Sequence, residues 1–389
     1  ANDAGRLGLL EPGHRIITVA GTNGKGSSVA LLDAILRAAG YRVGCYTSPH
    51  IRQYNERVRI DGNPVSDRDL CAAFELVDHA RDGQTLSYFE FGTLAALQLF
   101  SEWAPDIAVL EVGMGGRLDA VNVLAADIAL VTSISIDHSA WLGNDREAIG
   151  REKAGIFRSG RPAICSDPQP PASLQQHARA VGARWYSLGH AFSYTAGQDR
   201  WHWQSLHGRL PDLPLPALPG SHQLNNAAGV LMAVEVLGEQ LSVSRAAIID
   251  GLQDVVLEGR CQLHPGPVET IFDVAHNPDS ARQLGQLLGE RPVRGKTRLV
   301  LGMLHDKDAT GFARELGPAV DRWYLAAPRA ERSLPVAELQ AQLAPLVPAE
   351  TIDCFPNVAA ALQQARADAT DGDRIVVCGS FYTVAEALA

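Results

Sequence analysis

The strongest chemical signal in the sequence is a glycine-rich stretch, G-T-N-G-K-G-S, at residues 21–27. Glycines allow backbone N–H groups to turn towards phosphate oxygens, and a helix that starts there adds the positive end of its dipole. Lys25 supplies a point charge for the β- and γ-phosphates, and the hydroxyl of Ser27 is suited to ligate Mg²⁺. These residue types in this order predict a nucleotide-binding site.

The elements around this stretch are those that a phosphate loop needs. An apolar, β-branched run at 14–20 predicts a buried strand, and apolar residues at helical spacing over 27–39, stopped by Gly40, predict a helix. The match to the standard G-x-x-x-x-G-K-[ST] pattern is incomplete, because Val19 replaces the first glycine and Gly26 separates the lysine from the hydroxyl. A glycine turn without a ligand is the alternative. The guanine-reading motif Asn-Lys-x-Asp of GTPases is absent from the sequence.

Oxygen and imidazole donors follow three further predicted strands. They are T-S-P-H at 47–50, E-V-G-M-G-G-R-L-D at 111–119 and D-H at 137–138. In a parallel sheet these strand ends meet at one edge, near the switch point where ligands bind. We therefore expect the donors to face the phosphate loop.

Magnesium suits these donors, because it prefers oxygen ligands and usually keeps several waters. Ser48 and Glu111 fit that preference, whereas His138 is an unusual ligand for Mg²⁺. Two structural alternatives stay open at this point: Glu111 as half of an ion pair at a strand end, and His138 as a helix cap. Lys153 lies on a predicted helix after His138, and by composition alone it is a solvated lysine.

The predicted elements indicate an α/β protein with two domains. Continuous apolar runs at 106–112 and 127–136 suit a parallel sheet covered on both faces. Residues 160–220 are less regular and contain signs of short antiparallel strands, and a long helix is predicted at 221–237.

The pattern breaks at 257–268, and an alternating rhythm of strands and helices then restarts. The strands predicted there are 268–274, 297–302, 321–326, 351–355 and 374–378, and the helices are 278–288, 308–316, 335–343 and 357–368. This organisation predicts a first domain at 1–263 and a smaller α/β domain at 268–389.

Length and composition agree with two domains and narrow the class of function. The chain has 389 residues, 46% of them hydrophobic and 20% charged. With 34 Lys and Arg against 44 Asp and Glu, the net charge of −10 is unfavourable for a nucleic-acid or membrane-surface protein, but it permits anionic substrates in a local positive pocket. The six cysteines form no C-x-x-C or zinc pattern, and no apolar run approaches the ~20 residues of a membrane span. A reducing, cytoplasmic location is expected.

Eight motifs occur in the order found in one known family. They are G-T-N-G-K-G-S at 21–27, T-S-P-H at 47–50, E-V-G-M-G-G-R-L-D-A at 111–120, S-I-D-H at 135–138, R-E-K-A-G-I at 151–156, H-Q-L-N-N-A-A at 222–228, D-V-A-H-N-P at 273–278 and C-G-S-F-Y-T-V at 378–384. Together they resemble folylpolyglutamate synthase/dihydrofolate synthase, a family of the Mur ligase superfamily. The resemblance covers nearly the whole chain and is far more specific than a phosphate loop alone.

The resemblance implies an ATP-dependent amide ligase. Its fold would be α/β, with an N-terminal P-loop domain of the Mur-ligase central type, a smaller C-terminal Rossmann-like domain, and ATP in the cleft between them. The γ-phosphate would pass to a substrate carboxylate, and the amine of L-glutamate would then attack the acyl phosphate and release phosphate. Positioning and charge neutralisation supply such catalysis, so no side-chain nucleophile is needed.

Roles for individual residues follow from the same resemblance. It implies two Mg²⁺ ions, held by Ser48, Glu111 and His138, and a carbamylated Lys153 whose added CO₂ supplies an anionic oxygen near the second ion. ATP binding is assigned to Thr22, Asn23, Gly24, Lys25, Gly26, Ser27, Asn226, Arg260, Asp273 and His276. Catalytic roles are implied for Lys153, Asp273 and His276, and Ser380 would help to bind the incoming glutamate.

The pterin end of the substrate is expected at two segments. The candidates are Ser87, Tyr88, Phe89 and Glu90 in the first segment, and Leu118, Asp119 and Ala120 in the second. The first segment offers aromatic faces and a carboxylate, although a helix start with buried aromatics is an alternative explanation. The form G-G-R-L-D-A resembles bifunctional bacterial members, which also make dihydrofolate from dihydropteroate. Family members usually carry a further segment before the phosphate loop, so part of the pteroate site is expected outside this sequence.

The expected protein is therefore a monomeric ligase that adds L-glutamate to dihydropteroate and to folates, without nucleic-acid or membrane partners. A monofunctional folylpolyglutamate synthase is the nearest alternative. A UDP-muramyl-peptide ligase shares the loop and the chemistry, but it needs an extra UDP-binding domain before the loop. A nucleotide-dependent regulatory module would need none of Glu111, His138, Asp273 and His276.

Overall fold

The computed structural model describes residues 2–238 and 240–389, without the side chains of residues 139 and 140. By their contacts these residues form two compact units. The first comprises residues up to Ala217 together with Gln223–Val256, and the second comprises Leu218–His222 together with Leu257–Ala389.

Eight strands of the first unit form one sheet. They are β1 (Arg15–Ala20), β2 (Val43–Tyr46), β3 (Val58–Ile60), β4 (Asn63–Pro64), β5 (Ile107–Glu111), β6 (Ile128–Val131), β7 (Pro162–Cys165) and β8 (Arg184–Ser187). Their order is β4-β3-β2-β5-β1-β6-β7-β8, and all neighbours are parallel except the β2-β3-β4 edge. Every residue of β2, β5, β6 and β7 is buried, which agrees with a parallel sheet covered on both faces.

Helices cover this sheet, and a small antiparallel sheet follows it. The helices are α1 (Asn2–Arg6), α2 (Lys25–Ala38), α3 (Asp67–Ala80), α4 (Tyr88–Trp103), α5 (Ser139–Leu142), α6 (Arg146–Ala154), α7 (Ala172–Val181), α8 (His222–Leu237) and α9 (Arg245–Asp254). The small sheet has the order β11-β10-β9, from β9 (Phe192–Ala196), β10 (Arg200–Ser205) and β11 (Arg209–Pro214). This sheet confirms the short antiparallel strands expected in the irregular region, and Trp201 and Trp203 of β10 are buried.

The second unit contains a six-stranded sheet with helices between its strands. Its strands are β12 (Gln262–His264), β13 (Glu269–Phe272), β14 (Thr297–Leu301), β15 (Arg322–Ala326), β16 (Ile352–Phe355) and β17 (Arg374–Cys378). Its helices are α10 (Pro278–Glu290), α11 (Ala309–Leu316), α12 (Val336–Leu343), α13 (Val358–Asp368) and α14 (Phe381–Leu388). The order is β12-β13-β17-β14-β15-β16, and only the β12-β13 pair is antiparallel.

Two differences from the sequence-based expectation concern boundaries. The contact division falls after Val256, and the pairing of β12 with β13 puts residues 262–264 in the sheet of the second unit. The domain boundary at 263–268 remains a prediction. The apolar run at 127–136 forms a strand only over Ile128–Val131, because the residues after it bond to the phosphate loop instead of a neighbouring strand.

The strand order of the first unit puts the phosphate loop at the end of a central strand, β1. From β1 the chain crosses through α2 to β2 on one side of the sheet, while β6 lies on the other side of β1. The end of β1 is therefore the switch point at which α/β sheets bind ligands. None of the described helices has both the length and the hydropathy of a membrane span.

Candidate active site

The phosphate loop joins β1 to α2, as the sequence predicts, and α2 begins at Lys25. Gly24, at the N-cap position of α2, has φ +86°, and Gly21 has φ +153°. Both values belong to the region that favours glycine. Because Gly24 has no side chain with which to cap α2, the first N–H groups of the helix are left for an anion.

The loop is held by the segment that follows β6. Thr22 donates its N–H to the Ser133 carbonyl at 2.7 Å, and its Oγ1 lies 3.0 Å from the Ser135 carbonyl. The N–H of Ser135 donates to Oγ1 of Thr22 at 3.1 Å. The Asn23 carbonyl accepts from Oγ1 of Thr132 at 2.7 Å and from Oγ of Ser133 at 3.2 Å. These bonds fix the orientation of the loop peptides.

Side chains of helix α8 contact the phosphate loop from another side. Gln223 donates to Oγ of Ser27 at 3.3 Å, and Asn226 donates to Oε1 of Gln223 at 3.0 Å. A Cβ at Gly24 would lie 2.4 Å from Oδ1 of Asn226, so the amide sits directly against the loop. Asn226, a predicted ATP contact, is thus beside the loop. Sequence reasoning missed Gln223, which stands in the same H-Q-L-N-N-A-A motif.

Two lysines meet at one loop carbonyl. Lys25 donates to the carbonyls of Gly21 at 3.2 Å and Thr22 at 3.3 Å, and Lys153 donates to the Gly21 carbonyl at 2.7 Å. Lys153 is only 3% exposed, so its interpretation as a solvated helix lysine is wrong. Burial, together with the charge of Lys25, lowers the pKa of Lys153 to about 7.

Two of the three predicted metal ligands are in contact. Glu111 is the buried last residue of β5, 5% exposed, and Oε2 of its side chain accepts from the N–H of Ser48 at 3.3 Å. His138 ends the segment that binds the phosphate loop and has φ +50°. Among the described residues, no three His, Cys, Asp or Glu side chains form a metal-binding group. The predicted set has two such side chains and a serine, which suits an ion that keeps water ligands.

The first predicted substrate segment starts a helix. Ser87 caps α4 and forms a capping box with Glu90, since each side chain accepts from the backbone N–H of the other residue. Tyr88 is 64% exposed, with one face against the guanidinium of Arg57. Phe89 lies under the backbone of Gly113, where a Cβ would meet its ring at 2.7 Å.

The second predicted substrate segment carries a partly buried carboxylate and an exposed leucine. Asp119 accepts from the N–H groups of Met114 at 2.9 Å and Val121 at 3.1 Å, and burial raises its pKa against those hydrogen bonds. Leu118 is 79% exposed, and Ala120 begins a 3₁₀ turn. The pterin roles of both segments remain predictions.

An aromatic and cationic group beside Tyr88 was missed in the sequence. Buried Arg57 lies 5.2 Å from the ring centroid of Tyr54 and 5.4 Å from that of Tyr88, and its Nε donates to Nδ1 of His50 at 2.9 Å. Burial and the charge of Arg57 lower the pKa of His50. His50 stands in the T-S-P-H motif, but nothing in the spacing indicated Arg57 as its partner.

In the second unit, Asp273, His276 and Ser380 follow two adjacent strands, β13 and β17, whereas Arg260 precedes β12. Asp273 comes directly after β13; its carboxylate accepts from the N–H groups of Cys261 at 2.8 Å and Ala275 at 2.7 Å, and from the Cys261 thiol at 3.2 Å. Ser380 follows β17 and caps α14, with its Oγ 2.8 Å from Oγ1 of Thr383.

An aromatic ring links two further predicted residues of this unit. The guanidinium of Arg260 lies 5.0 Å from the ring centroid of Phe381, and the ring of His276 lies 6.4 Å from it. His222, which sequence reasoning missed, belongs to the same unit. Burial lowers the pKa of His222, while the charge of Asp273 raises it and the charge of Arg260 lowers it. Arg260, Asp273 and His276 are therefore grouped within this unit.

The comparisons with known proteins cover both units. The Mur ligase middle domain model matches residues 19–234, and the Mur ligase glutamate ligase domain model matches residues 259–381. The dihydrofolate synthase/folylpolyglutamate synthase of Escherichia coli (strain K12) is 44% identical over 99% of this chain and 88% of its own length. The chain belongs to the dihydrofolate synthase/folylpolyglutamate synthase family. The predicted family, the α/β fold of the Mur ligase type and the ligase class are confirmed.

Solved structures of this family agree with the fold and carry ligands. E. coli FolC in complex with DHPP and ADP superposes with a TM-score of 0.94 at 44% identity, covering 100% of this chain and 91% of that one. A bifunctional folylpolyglutamate synthase/dihydrofolate synthase with Mn, AMPPNP and L-glutamate bound has a TM-score of 0.93 at 44% identity, with 99% and 91% covered. The similarity to the folate branch leaves the UDP-muramyl alternative without support.

Proposed function

We propose that this chain is an ATP-dependent ligase that joins L-glutamate to dihydropteroate and to folates bearing a γ-carboxylate. The observation that carries the proposal is the phosphate loop with two lysines at the Gly21 carbonyl, in a chain that belongs to this family. The γ-phosphoryl group of ATP passes to the substrate carboxylate, and ADP leaves. The amine of L-glutamate then attacks the acyl carbon, loses a proton and displaces phosphate, which leaves an amide bond.

The phosphates of ATP bind at the start of α2. Backbone N–H groups of the loop and the uncapped end of α2 face them, and Lys25 neutralises charge on the β- and γ-phosphates. We assign ATP binding in this loop to Thr22, Asn23, Gly24, Lys25, Gly26 and Ser27. We also assign an ATP contact to Asn226, which lies against Gly24 and donates to Oε1 of Gln223.

Mg²⁺ is assigned to Ser48, Glu111 and His138, and when bound it neutralises charge on the phosphoryl oxygens. The fit rests on the buried carboxylate of Glu111 and its contact with Ser48. We propose two ions per site, with carbamylated Lys153 providing an anionic oxygen for the second. A carbamate forms when the neutral amine of Lys153 adds to the carbon of CO₂ and releases a proton, and a pKa of about 7 supplies the neutral amine.

The second unit contributes the remaining groups. We assign ATP contacts to Arg260, Asp273 and His276, a catalytic role to Asp273 and His276, and binding of the incoming glutamate to Ser380. The pterin is assigned to Ser87, Tyr88, Phe89, Glu90, Leu118, Asp119 and Ala120. Tyr88 offers the most exposed aromatic face of the first segment for stacking, while Ser87 and Glu90 already bond each other at the helix start.

Finer aspects of the function belong to the same proposal. Substrates are small molecules, namely ATP, L-glutamate, dihydropteroate and folates, and neither nucleic acid nor membrane is a partner, in keeping with the net charge of −10. We propose that the protein acts as a monomer in the cytoplasm. The six free cysteines are typical of a reducing compartment.

Phosphate release from ATP tests the function directly. The enzyme is assayed with L-glutamate and Mg²⁺, and with dihydropteroate, tetrahydrofolate or no pterin. Release with both pterins establishes the two activities, and release with tetrahydrofolate alone indicates a dedicated folylpolyglutamate synthase. No release with either pterin contradicts the proposed function.

A further inference from the structure

The segment after β6, residues 132–138, is held on two opposite sides. Thr132, Ser133 and Ser135 bond to the phosphate loop. Ile134, between them, turns its backbone groups away from the loop: its N–H donates to Oδ2 of Asp167 at 2.8 Å, and its carbonyl accepts from Nε of Arg146 at 2.8 Å. This alternation is that of an extended chain, in which successive residues bond to opposite sides.

Arg146 and Asp167 form one connected pair. Nη2 of Arg146 donates to Oδ2 of Asp167 at 2.9 Å and to the Gln169 carbonyl at 2.8 Å, and the N–H of Gln169 donates to Oδ1 of Asp167 at 2.8 Å. Asp167 is 3% exposed. Because both of its oxygens accept bonds, the carboxylate has one orientation, and through it the backbone of Ile134 also has one.

Arg146 is also the first residue of α6, the helix that carries Lys153. Asp145 caps this helix by accepting from the N–H of Ala148 at 2.7 Å. In the last turn Lys153 reaches the Gly21 carbonyl at 2.7 Å. One guanidinium therefore connects three parts of the first unit: the segment that leads to His138, the turn between β7 and α7, and the helix of Lys153.

We infer that Arg146 and Asp167 are positioning residues of the ligase reaction, which hold residues 132–138 so that the phosphate loop and His138 stay arranged for the metal–nucleotide complex. The inference rests on the proposed function. The pair acts through the backbone of Ile134. Removing the Arg146–Asp167 pair leaves every residue of the phosphate loop unchanged. Residues 132–138, which orient the loop, are then held on one side only.

Enzyme kinetics with Arg146→Ala, Arg146→Lys and Asp167→Asn tests this inference. For Arg146→Ala we expect the Mg²⁺ concentration at half-maximal rate and the KM for ATP to rise about 10–100-fold, as for other residues that orient ligands. The KM for L-glutamate is expected to stay near that of the parent. Added guanidinium ions should partly restore the Arg146→Ala enzyme, since they replace the missing donors, and Arg146→Lys should be intermediate.

Arg158→Ala is the matched control. Arg158 is a half-buried arginine of the same unit whose guanidinium donates to the carbonyls of Gly155, Phe157 and Asn122, each at 3.1 Å. Replacing Arg158 with alanine removes hydrogen bonds to backbone carbonyls, as Arg146→Ala does. We expect a lower Tm for this variant, with the Mg²⁺ and ATP dependence of the parent.

The outcomes separate the inference from the proposed function. An Arg146→Ala enzyme that has a lower Tm but unchanged Mg²⁺ and ATP dependence overturns the inference, and so does the same rise in Arg158→Ala. If Arg146→Ala does not fold, Arg146→Lys and Asp167→Asn decide by the same measurements. A parent enzyme that releases no phosphate with either pterin contradicts the proposed function itself.

Discussion

Lys153 has a chemistry that its place in the sequence does not reveal. Its motif, R-E-K-A-G-I, is a charged helical stretch, yet the side chain is 3% exposed and bonds to the Gly21 carbonyl beside Lys25. Burial and the neighbouring positive charge favour the neutral amine. Because CO₂ adds only to a neutral amine, this environment prepares Lys153 for the carbamylation that we propose.

Replacing Lys153 by alanine tests that role. We expect Lys153→Ala to lose activity, because the anionic oxygen is missing, and a short carboxylate or bicarbonate to restore part of it by occupying the vacated space. Lys153→Arg is the control, since it keeps a cation that cannot form a carbamate. Unchanged phosphate release by Lys153→Ala would refute the carbamylation proposal.

The lowered pKa of Lys153 also predicts a pH dependence of stability. The pKa is about 7 in the folded chain and 10.5, the ordinary value for lysine, in the unfolded chain. Between these two pH values the unfolded chain binds more protons than the folded chain, so the free energy of unfolding rises with pH. Lys153→Met removes this dependence. We therefore expect Lys153→Met to be more stable than the parent at pH 7, with a Tm difference that shrinks towards pH 10.

The measurement is thermal unfolding in buffer free of CO₂ and metal ions. Asp119, Asp137 and Lys25 are the charged groups that act on Lys153, and they are present in both proteins. Lys296→Met, at an exposed lysine, controls for the loss of one positive charge. A Tm difference that stays constant from pH 7 to 10 contradicts a lowered pKa.

Glu111 is the residue on which the metal assignment depends most. We expect Glu111→Ala to keep the fold and to raise the Mg²⁺ concentration at half-maximal rate by about 10-fold or more, since a carboxylate ligand is lost. Glu235→Ala is the control: this half-buried carboxylate of the same unit accepts from Oγ of Ser205 at 2.8 Å. A Glu111→Ala enzyme whose Mg²⁺ titration matches that of the parent would show that the assignment is wrong.

At the scale of elements, the loop between β1 and α2 depends on backbone geometry. Its glycines adopt conformations that other residues avoid, and the Asn23 carbonyl accepts two hydrogen bonds from the segment after β6. The strand β6 ends at Val131, and the residues that follow it leave the sheet. The apolar run at 127–136, which the sequence predicts as one strand, therefore forms a strand in its first part and contacts the phosphate loop in its second part.

Gly24→Ala tests this geometry against Gly40→Ala. Both glycines have positive φ, +86° and +89°, so alanine at either costs about 1–2 kcal/mol of backbone strain. Only at Gly24 would the added Cβ also meet a neighbour, Oδ1 of Asn226 at 2.4 Å, whereas Gly40 faces open space. We expect both variants to lose stability and only Gly24→Ala to raise the KM for ATP. An equal KM for ATP in the two variants would contradict the proposed role of the loop.

For the whole molecule, the proposed reaction needs groups from two units of one chain. Lys153 belongs to the first unit and Asp273 to the second. We expect Lys153→Ala and Asp273→Ala each to be inactive, and an equimolar mixture of the two proteins to be as inactive as either alone, because a monomer cannot combine intact units from two chains. Recovered phosphate release in the mixture would contradict the monomer and indicate exchange between chains.

The sequence was sufficient for features that depend on local order. The phosphate loop, the alternation of strands and helices after residue 268, and the order of eight motifs can all be recognised in the sequence alone. Glycine conformations and helix caps depend on neighbours a few residues away, and buried parallel strands are continuous apolar runs. For the same reason the family and its fold class were predictable.

Tertiary structure alone decided which side chains meet and how deeply they are buried. Lys153 reaches Gly21 across 132 positions, Asp167 holds Ile134 across 33, and Gln223 reaches Ser27 across 196. Such contacts arise from the order of strands in the sheet and from helix packing, which no local pattern encodes. Because burial and neighbouring charge set a pKa, the same lysine that reads as a solvated cation in the sequence becomes, in the fold, an amine that is partly neutral at pH 7.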